Sequence, residues 1–201
     1  MGGGRLPSAY QEVEYIESTG TQYINTGVFF STNLSLIMEI MHFSETDQIV
    51  VGVNNTSQSN GFTYFAYIRR GNSENRFQFN IGWGETSFTG ILPNQKHTIS
   101  GYLNSSVYNI EIDGISKSIS PRTSSITGFP FFLFANNESG TAGSFTNIRC
   151  YKLTFWQNNN LIRGFIPCYR KSDNVIGMYD IVNNVFYINQ GTGIFIKGPN
   201  V

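Results

Sequence analysis

The sequence predicts an all-β fold, an antiparallel sandwich of two sheets, and three observations support this prediction. Aromatic residues make up 15% of the 201 residues, whereas charged residues make up only 13%, against a typical value of about 25%. Asn occurs 22 times and Gly 21 times, and both tolerate the positive φ angles that tight turns need. Apolar and polar residues alternate in several short segments. Short strands joined by many turns are typical of β-sandwiches.

The clearest strand is predicted over residues 76–82. Phe77, Phe79 and Ile81 would face one way there, and the intervening polar residues the other, which is the pattern of a half-buried strand. Residues 62–69 alternate in a similar way but carry aromatic residues on both faces. Because a polar turn separates the two segments, we expect them to pair.

A hairpin is predicted further along the chain. The segment 97–113 is predicted to form two more strands and closes at Asp113-Gly114, a dipeptide typical of two-residue hairpin turns. Residues 115–119 would form the returning strand.

Two other segments are harder to interpret. Residues 33–42 fit both a strand and one face of a helix, and periodicity alone does not decide between them. We interpret this segment as a strand, because no other segment has a helical pattern. Residues 129–134 are apolar on both faces, as expected of a central strand or of a strand that lines an apolar groove.

One domain is predicted over residues 6–201, preceded by a flexible Gly-rich linker at residues 1–5. A chain of this length fits one large β-domain. Thirteen basic and thirteen acidic residues give no net charge, so nothing indicates a nucleic-acid partner. No apolar run approaches the roughly 20 residues of a membrane-spanning helix. We therefore expect no membrane insertion, and the start of the chain has no signal-peptide pattern.

Three segments resemble one family of domains. They are residues 6–28, residues 129–156 and residues 161–198, and the last of these contains the motifs FIPC, GMYD, VFY and GTGIF in that order. Together they resemble the concanavalin A-like, laminin-G-like jelly-roll domains found in phage tail proteins and bacterial surface proteins. The resemblance covers nearly everything after the Gly-rich start. It implies a module that binds glycans or cell-surface partners.

A ligand-binding face is predicted from this resemblance, because jelly-roll lectins present aromatic and polar side chains from a sheet and its rim loops. Aromatic rings suit the CH faces of sugars, and amide, guanidinium and carboxylate groups suit their hydroxyls. The alternative for Gln78 and Asn80 is a solvated convex face, and for Trp83 and Trp156 it is packing in the core or between strands. The predicted binding residues are Tyr67, Arg69, Arg76, Gln78, Asn80, Trp83, Asn136 and Asn137, with the loop around Trp156 and Asn158 as a further candidate.

Catalysis is not expected. Some related glucanases carry catalytic carboxylates in an E-x-D-x-x-E pattern, and Glu111 and Asp113 match its first two positions. Ser116 stands where the second glutamate should be, so a pair of carboxyls about 5–5.5 Å apart is missing. His42 and His97 lie near no nucleophile motif.

A calcium site is a weaker possibility that the resemblance raises, with Asp113, Asp173 and Asp180 as its candidate ligands. No other cofactor is expected. Cys150 and Cys168 would fall at nearly matched positions of neighbouring antiparallel strands, which makes a disulfide geometrically conceivable. Two buried free thiols are the favoured alternative.

The sequence therefore predicts a non-catalytic, carbohydrate-binding or cell-surface-binding module. Its partner would be a cell-surface glycan or a surface protein. Its setting would be a phage virion (tail, fibre or head decoration), a bacterial surface or the extracellular space. Weak single sites gain strength from multiple copies, so we expect an oligomer or a part of a larger multi-domain assembly. The alternatives are a structural module that docks to protein and a polysaccharide-degrading glycoside hydrolase.

Overall fold

The computed structural model describes residues 5–43, 46–57, 62–69, 76–81, 84–104, 107–120 and 128–201, and this part of the chain is built from strands and turns. Among the described residues, no helix is long and apolar enough to span a membrane. The strands, in chain order, are β1 (Tyr10–Glu12), β2 (Ile16–Thr19), β3 (Ile24–Phe29), β4 (Leu34–His42), β5 (Gln48–Asn54), β6 (Phe62–Arg69), β7 (Arg76–Ile81), β8 (Gly84–Thr89), β9 (Lys96–Asn104), β10 (Val107–Ile112), β11 (Ile115–Ile119), β12 (Pro130–Leu133), β13 (Ala135–Glu138), β14 (Thr141–Gly143), β15 (Asn147–Gln157), β16 (Asn160–Arg170), β17 (Ile176–Asp180), β18 (Val185–Ile188) and β19 (Ile196–Lys197).

The first sheet is antiparallel throughout its described pairings. Its main path runs in the order β11, β10, β9, β4, β15, β16, β17, β18. Three short strands complete it, since β2 pairs with β15, β1 pairs with β16 and β19 pairs with β2.

The second sheet runs in the order β14, β13, β5, β6, β7, β8, and β12 lies between β3 and β5. Its pairings are antiparallel, except that β13 runs parallel to β5. The chain changes direction relative to β5 at Phe134, which has a φ of 71°. The backbone N–H of Phe134 donates to the carbonyl oxygen of Val50 at 2.8 Å. This turn brings Asn136 opposite Gly52.

The core lies between the two sheets. Leu34, Leu36, Met38 and Ile40 of β4 are buried on its first-sheet side. The rings of Phe65 in the second sheet and Tyr108 in the first sheet lie 5.7 Å apart. Burial of large aromatic side chains such as these is a major source of the domain's stability.

The strand predictions are confirmed at several places. The predicted pair of strands is β6 and β7, and the ambiguous segment at residues 33–42 is the strand β4. The hairpin turn lies between β10 and β11, where Asp113 and Gly114 have φ angles of 50° and 85°. The segment 129–134 contributes β12, a strand with neighbours on both sides.

The two cysteines are free buried thiols. β15 and β16 pair only between Leu153–Gln157 and Asn160–Phe165. Beyond that stretch Cys150 pairs with Ile16 of β2 and Cys168 pairs with Glu12 of β1. The strands β2 and β1 therefore lie where β16 and β15 would have to pair for the two cysteines to be neighbours. The favoured prediction of two free buried thiols agrees with the structure.

Candidate functional site

The outer face of the second sheet carries a row of polar side chains from β7. Phe77, Phe79 and Ile81 of this strand are buried in the core, so the alternation of a strand directs Arg76, Gln78 and Asn80 to the opposite face. This arrangement agrees with the predicted facing. The solvated-face alternative is wrong, because Gln78 and Asn80 are only 6% and 4% exposed.

Arg76 and Gln78 line a cleft of about 290 Å³ with Glu85, Ser87 and Lys117, which we call the polar cleft. Gln78 Nε2 donates to Glu85 Oε2 at 2.7 Å. Lys117 belongs to β11, the edge strand of the first sheet, and its Nζ donates to the carbonyl oxygen of Ser87 at 2.5 Å. The polar cleft therefore lies where β8 and β11, the edges of the two sheets, meet.

Arg76 is the least satisfied group of the polar cleft. Its Nε is buried and has no hydrogen-bond partner among the described residues. A buried donor without a partner costs about 1–3 kcal/mol. A ligand that offers hydroxyl or anionic oxygens would remove this cost.

Two amide oxygens on the same face also lack a partner in the described part of the chain. Asn80 and Asn136 are 4% and 3% exposed, and neither Oδ1 accepts a hydrogen bond from any described residue. Gly52 lies opposite both Asn136 and Tyr64, and Tyr64 in turn pairs with Asn80. A Cβ at Gly52 would lie 2.8 Å from Asn136 Oδ1. It would also lie 2.5 Å from Ile49 Cγ2, so the two side chains together require a glycine at this position.

The other predicted binding residues are placed less favourably or lie outside the described part. Tyr67 is half-buried and pairs with Gln78. Asn137 is committed to the fold, because its Nδ2 donates to Pro130 O and its Oδ1 accepts from Gly140 N, both at 2.7 Å. The backbone of Arg69 pairs with Arg76, but its side chain is not among those the structure describes, and Trp83 lies outside the described residues altogether.

The three aspartates proposed for calcium are not brought together, and the described residues contain no cluster of three acidic, His or Cys side chains that could hold a metal. Asp113 bonds to His97 and to the backbone of Thr98. Asp173 forms an exposed ion pair with Arg170 at 2.6 Å.

Asp180 is fully buried and serves the fold instead. Its Oδ1 accepts from the backbone N–H groups of Gly164 and Val182 at 2.9 and 3.0 Å. Its Oδ2 accepts from Asn183 Nδ2 at 2.7 Å and lies 3.6 Å from Arg163 Nε. The carboxylate therefore already has protein donors on both oxygens.

The carboxylates considered for catalysis have structural partners as well. Glu111 lies on β10 opposite Ser116, whose hydroxyl donates to it at 3.1 Å. Ser116 thus occupies the position in which the glucanase pattern would need a second carboxylate.

Sequence reasoning missed Glu85, Ser87 and Lys117. The first two lie opposite Asn80 and Gln78 on β8, so extending the predicted hairpin by one strand would have found them. Lys117 could not be found in this way, because it reaches the cleft from the other sheet.

Comparisons with known proteins show likeness in fold alone. No model of a known protein family matches the chain, and no curated protein matches it in sequence. The crystal structure of the native heptameric SAP-like pentraxin from Limulus polyphemus superposes with a TM-score of 0.55 at 7% identity, covering 94% of both chains. Domains LG4-5 of the mouse laminin alpha1 chain superpose with a TM-score of 0.48 at 12% identity, covering 90% of this chain and 48% of that one. The likeness to the pentraxin confirms that this chain has the predicted two-sheet jelly-roll fold of the concanavalin A-like kind.

Proposed function

We propose that this domain is a non-catalytic recognition module that binds a cell-surface glycan in the polar cleft. The observation that carries the proposal is the buried Nε of Arg76 beside Gln78 and Glu85, which has no partner among the described residues. On the same face, two further buried amide oxygens accept no hydrogen bond from the described part of the chain. Sugars carry adjacent hydroxyls that both donate and accept hydrogen bonds. Planar amide, carboxylate and guanidinium groups are suited to such pairs.

The charges of the polar cleft refine the ligand class. Arg76 and Lys117 bring two positive charges, whereas Glu85 is the single carboxylate among the described lining residues. A glycan that carries a carboxylate or another acidic group would balance this charge. We therefore expect acidic glycans to bind more tightly than neutral ones, with an affinity that falls as salt screens the cationic side chains.

The presence of one carboxylate, Glu85, among the described lining residues argues against glycoside hydrolysis in this cleft. A retaining enzyme needs two carboxyls about 5–5.5 Å apart, and an inverting one needs them about 6.5–9.5 Å apart. Glu85 has no second carboxylate beside it among the described lining residues, and it already accepts from Gln78. Binding without bond cleavage is the function that this geometry favours.

The setting that we propose is the surface of a virion or another extracellular surface, with the domain presented in several copies. A cleft of this size supports only weak binding by itself, and multiple copies raise the overall strength of attachment. The pentraxin with the same fold is a heptamer, which makes an oligomer of this chain a reasonable expectation.

A second candidate function is docking to protein, and one observation favours it. The hairpin formed by β17 and the edge strand β18 exposes Ile181, Val182, Val185 and Ile188, each at 37–44%. Exposed apolar edge strands are common sites of strand addition by another chain. A partner protein or a second copy of this chain could cover this edge while the polar cleft remains open.

A glycan array and a panel of bacterial cells, probed with the multimerised domain, test the proposal. We expect saturable binding that Arg76→Ala and Gln78→Ala each weaken at least about tenfold, or 1.4 kcal/mol. Lys171→Ala and Gln190→Ala are the matched controls, because both side chains are exposed and lie outside the polar cleft. Glycan binding that neither cleft variant weakens would place the site elsewhere, and capture of protein alone would favour the docking function.

A further inference from the structure

The outer face of the first sheet carries two aromatic residues on either side of a serine. Trp156 of β15 lies opposite Ser35 of β4. On the other side of β4, Leu36 pairs with Gly101 of β9, so the adjacent residues Ser35 and Tyr102 are also neighbours. Because Leu36 faces the core, Ser35 faces outward. The small serine leaves a gap between the two aromatic side chains.

This gap is a cleft of about 440 Å³, which we call the aromatic cleft. It is lined by Trp156, Tyr102, Ser35 and Ile37, together with Ser100 and Asn159, and none of the described lining residues is charged. The volume lies within the range of about 300–1,000 Å³ that is typical of small-ligand sites. The lack of charge favours a neutral ligand, in contrast to the polar cleft.

The spacing of the strands fits one flat ring between the aromatic side chains. β15 and β9 are separated by β4 alone, so the backbones that carry Trp156 and Tyr102 lie about 10 Å apart at a strand spacing of about 4.8 Å. A saturated ring in contact with an aromatic ring on each side needs about 7–8 Å between those two rings. The strand spacing is therefore consistent with one ring between the two aromatic side chains.

Trp156 is held in place before any ligand arrives. Its indole Nε1 donates to Thr154 Oγ1 at 3.3 Å, and that hydroxyl donates to the carbonyl oxygen of Ile37 at 3.3 Å. Tyr102 remains 45% exposed. A fixed indole facing a solvent-accessible phenol loses little conformational freedom on binding.

Polar groups that have no partner among the described residues lie at the floor and the rim of the aromatic cleft. The hydroxyls of Ser35 and Ser100 bond to none of the described residues, and the amide of Asn159 is exposed in the turn between β15 and β16. A purely apolar ligand would leave these groups without partners. A ring that has CH groups on its faces and hydroxyls on its edge satisfies both kinds of surface.

We propose that the aromatic cleft binds one pyranose ring of a neutral glycan, with its CH faces against Trp156 and Tyr102 and its hydroxyls toward Ser35, Ser100 and Asn159. The ring would enter edge-on above Ser35. This site does not depend on the polar cleft, which lies on the other sheet. With both sites occupied, one domain would hold two glycan chains on opposite faces.

Trp156 fluorescence tests this proposal in a Trp83→Phe background, where it is the only tryptophan. Cellotetraose, chitotetraose and maltotetraose are titrated to about 10 mM, the range of weak single-site affinities. We expect a saturable change with at least one of them. Tyr102→Ala, and Ser35→Phe, which fills the gap, should each weaken binding at least about tenfold, whereas Tyr102→Phe retains the ring and should bind nearly as well.

Phe29→Ala is the matched control, because it removes a 52% exposed aromatic side chain from the second sheet. Arg76→Ala should leave this affinity unchanged, which separates a failure of the aromatic cleft from a failure of the polar cleft. The proposal is overturned if none of the three oligosaccharides gives a saturable change, or if Ser35→Phe binds as well as its parent. Preferential binding of benzyl alcohol would also overturn it, because the site would then take flat aromatic ligands.

Discussion

The imidazole rings of His42 and His97 lie 5.8 Å apart between the sheets. The ring of His97 has polar partners, whereas the ring of His42 packs among apolar groups. Nδ1 of His97 lies 2.6 Å from the carboxylate of Asp113, and its Nε2 lies 2.8 Å from the carbonyl oxygen of Leu92. Neither nitrogen of His42 bonds to a described residue, and its ring packs edge-on against Phe77 at 4.9 Å. Burial, and to a smaller extent the nearby His97, lowers the pKa of His42 from 6.5 to about 4.

The first prediction is a loss of stability in mild acid. Because the pKa of His42 is lower in the folded state, the unfolded chain binds the proton more tightly. The stabilisation is fully present above pH 6.5 and is lost as the pH falls toward 4. The loss should approach about 3 kcal/mol. Urea unfolding at several pH values measures it.

His42→Leu is the variant for this prediction, because it removes the titrating ring and keeps an apolar side chain. Its unfolding free energy should fall less steeply between pH 6.5 and pH 5 than that of the parent. Equal slopes in the two proteins would mean that His42 does not cause the acid sensitivity.

The second prediction concerns the buried carboxylate of Asp180. Asp180→Ala removes the acceptor of two backbone N–H groups and leaves the Arg163 guanidinium without its nearest carboxylate. We expect a loss of about 3 kcal/mol or more in unfolding free energy. Asp180→Asn keeps one carbonyl oxygen and should lose less.

Asp173→Ala is the control for Asp180, because Asp173 also pairs with an arginine but is exposed. Ion pairs on the surface contribute little, so its urea midpoint should match that of the parent. If both alanine variants shifted the midpoint equally, burial would not explain the role of Asp180.

Local patterns in the sequence were sufficient to predict the strands near the candidate site. The alternation around Phe77 and Phe79 gave the position of β7, and Asp113-Gly114 gave a hairpin turn, because both signals arise from residues close in the chain. The parallel pairing of β13 with β5 could not be predicted. It depends on a positive φ at Phe134, which an aromatic residue adopts only when the surrounding packing imposes it.

The candidate sites were only partly predictable for a similar reason. Arg76 and Gln78 were found because they alternate with core residues on one strand. The place of Lys117 beside them depends on how the edges of the two sheets meet. The pairing of Tyr102 with Trp156 around Ser35 depends on the register of three strands that are far apart in the chain, and no local pattern encodes that register.

The third prediction is that Gly101→Ala destabilises the core behind the aromatic cleft. A Cβ at this position would lie 2.9 Å from the ring of Tyr108. Tyr108 cannot easily move, because it is 1% exposed and its hydroxyl donates to the carbonyl oxygen of Leu34 at 2.9 Å. Overpacking of this kind costs about 1–3 kcal/mol.

Thermal unfolding of Gly101→Ala measures that cost, with Gly114→Ala for comparison. Gly114 has open space around it but a φ of 85°. The loss of stability in Gly114→Ala would therefore come from backbone strain alone. In a Tyr108→Leu background the crowding at residue 101 is relieved, and the cost of Gly101→Ala should fall. An unchanged cost in that background would show that the Tyr108 ring is not the cause.

The fourth prediction is that both cysteines are unreactive in the folded protein. Burial raises the pKa of each thiol to about 12, so almost no thiolate, the nucleophilic form, exists at pH 8. Ellman's reagent should therefore modify neither thiol until the protein unfolds, and both should react in urea. The rate of modification in water should follow the opening of the fold, and the destabilising substitution Asp180→Asn should increase this rate.

Rapid reaction of one thiol in the native protein would show that β15 or β16 opens locally. A failure of both thiols to react in urea would indicate a disulfide instead of free thiols.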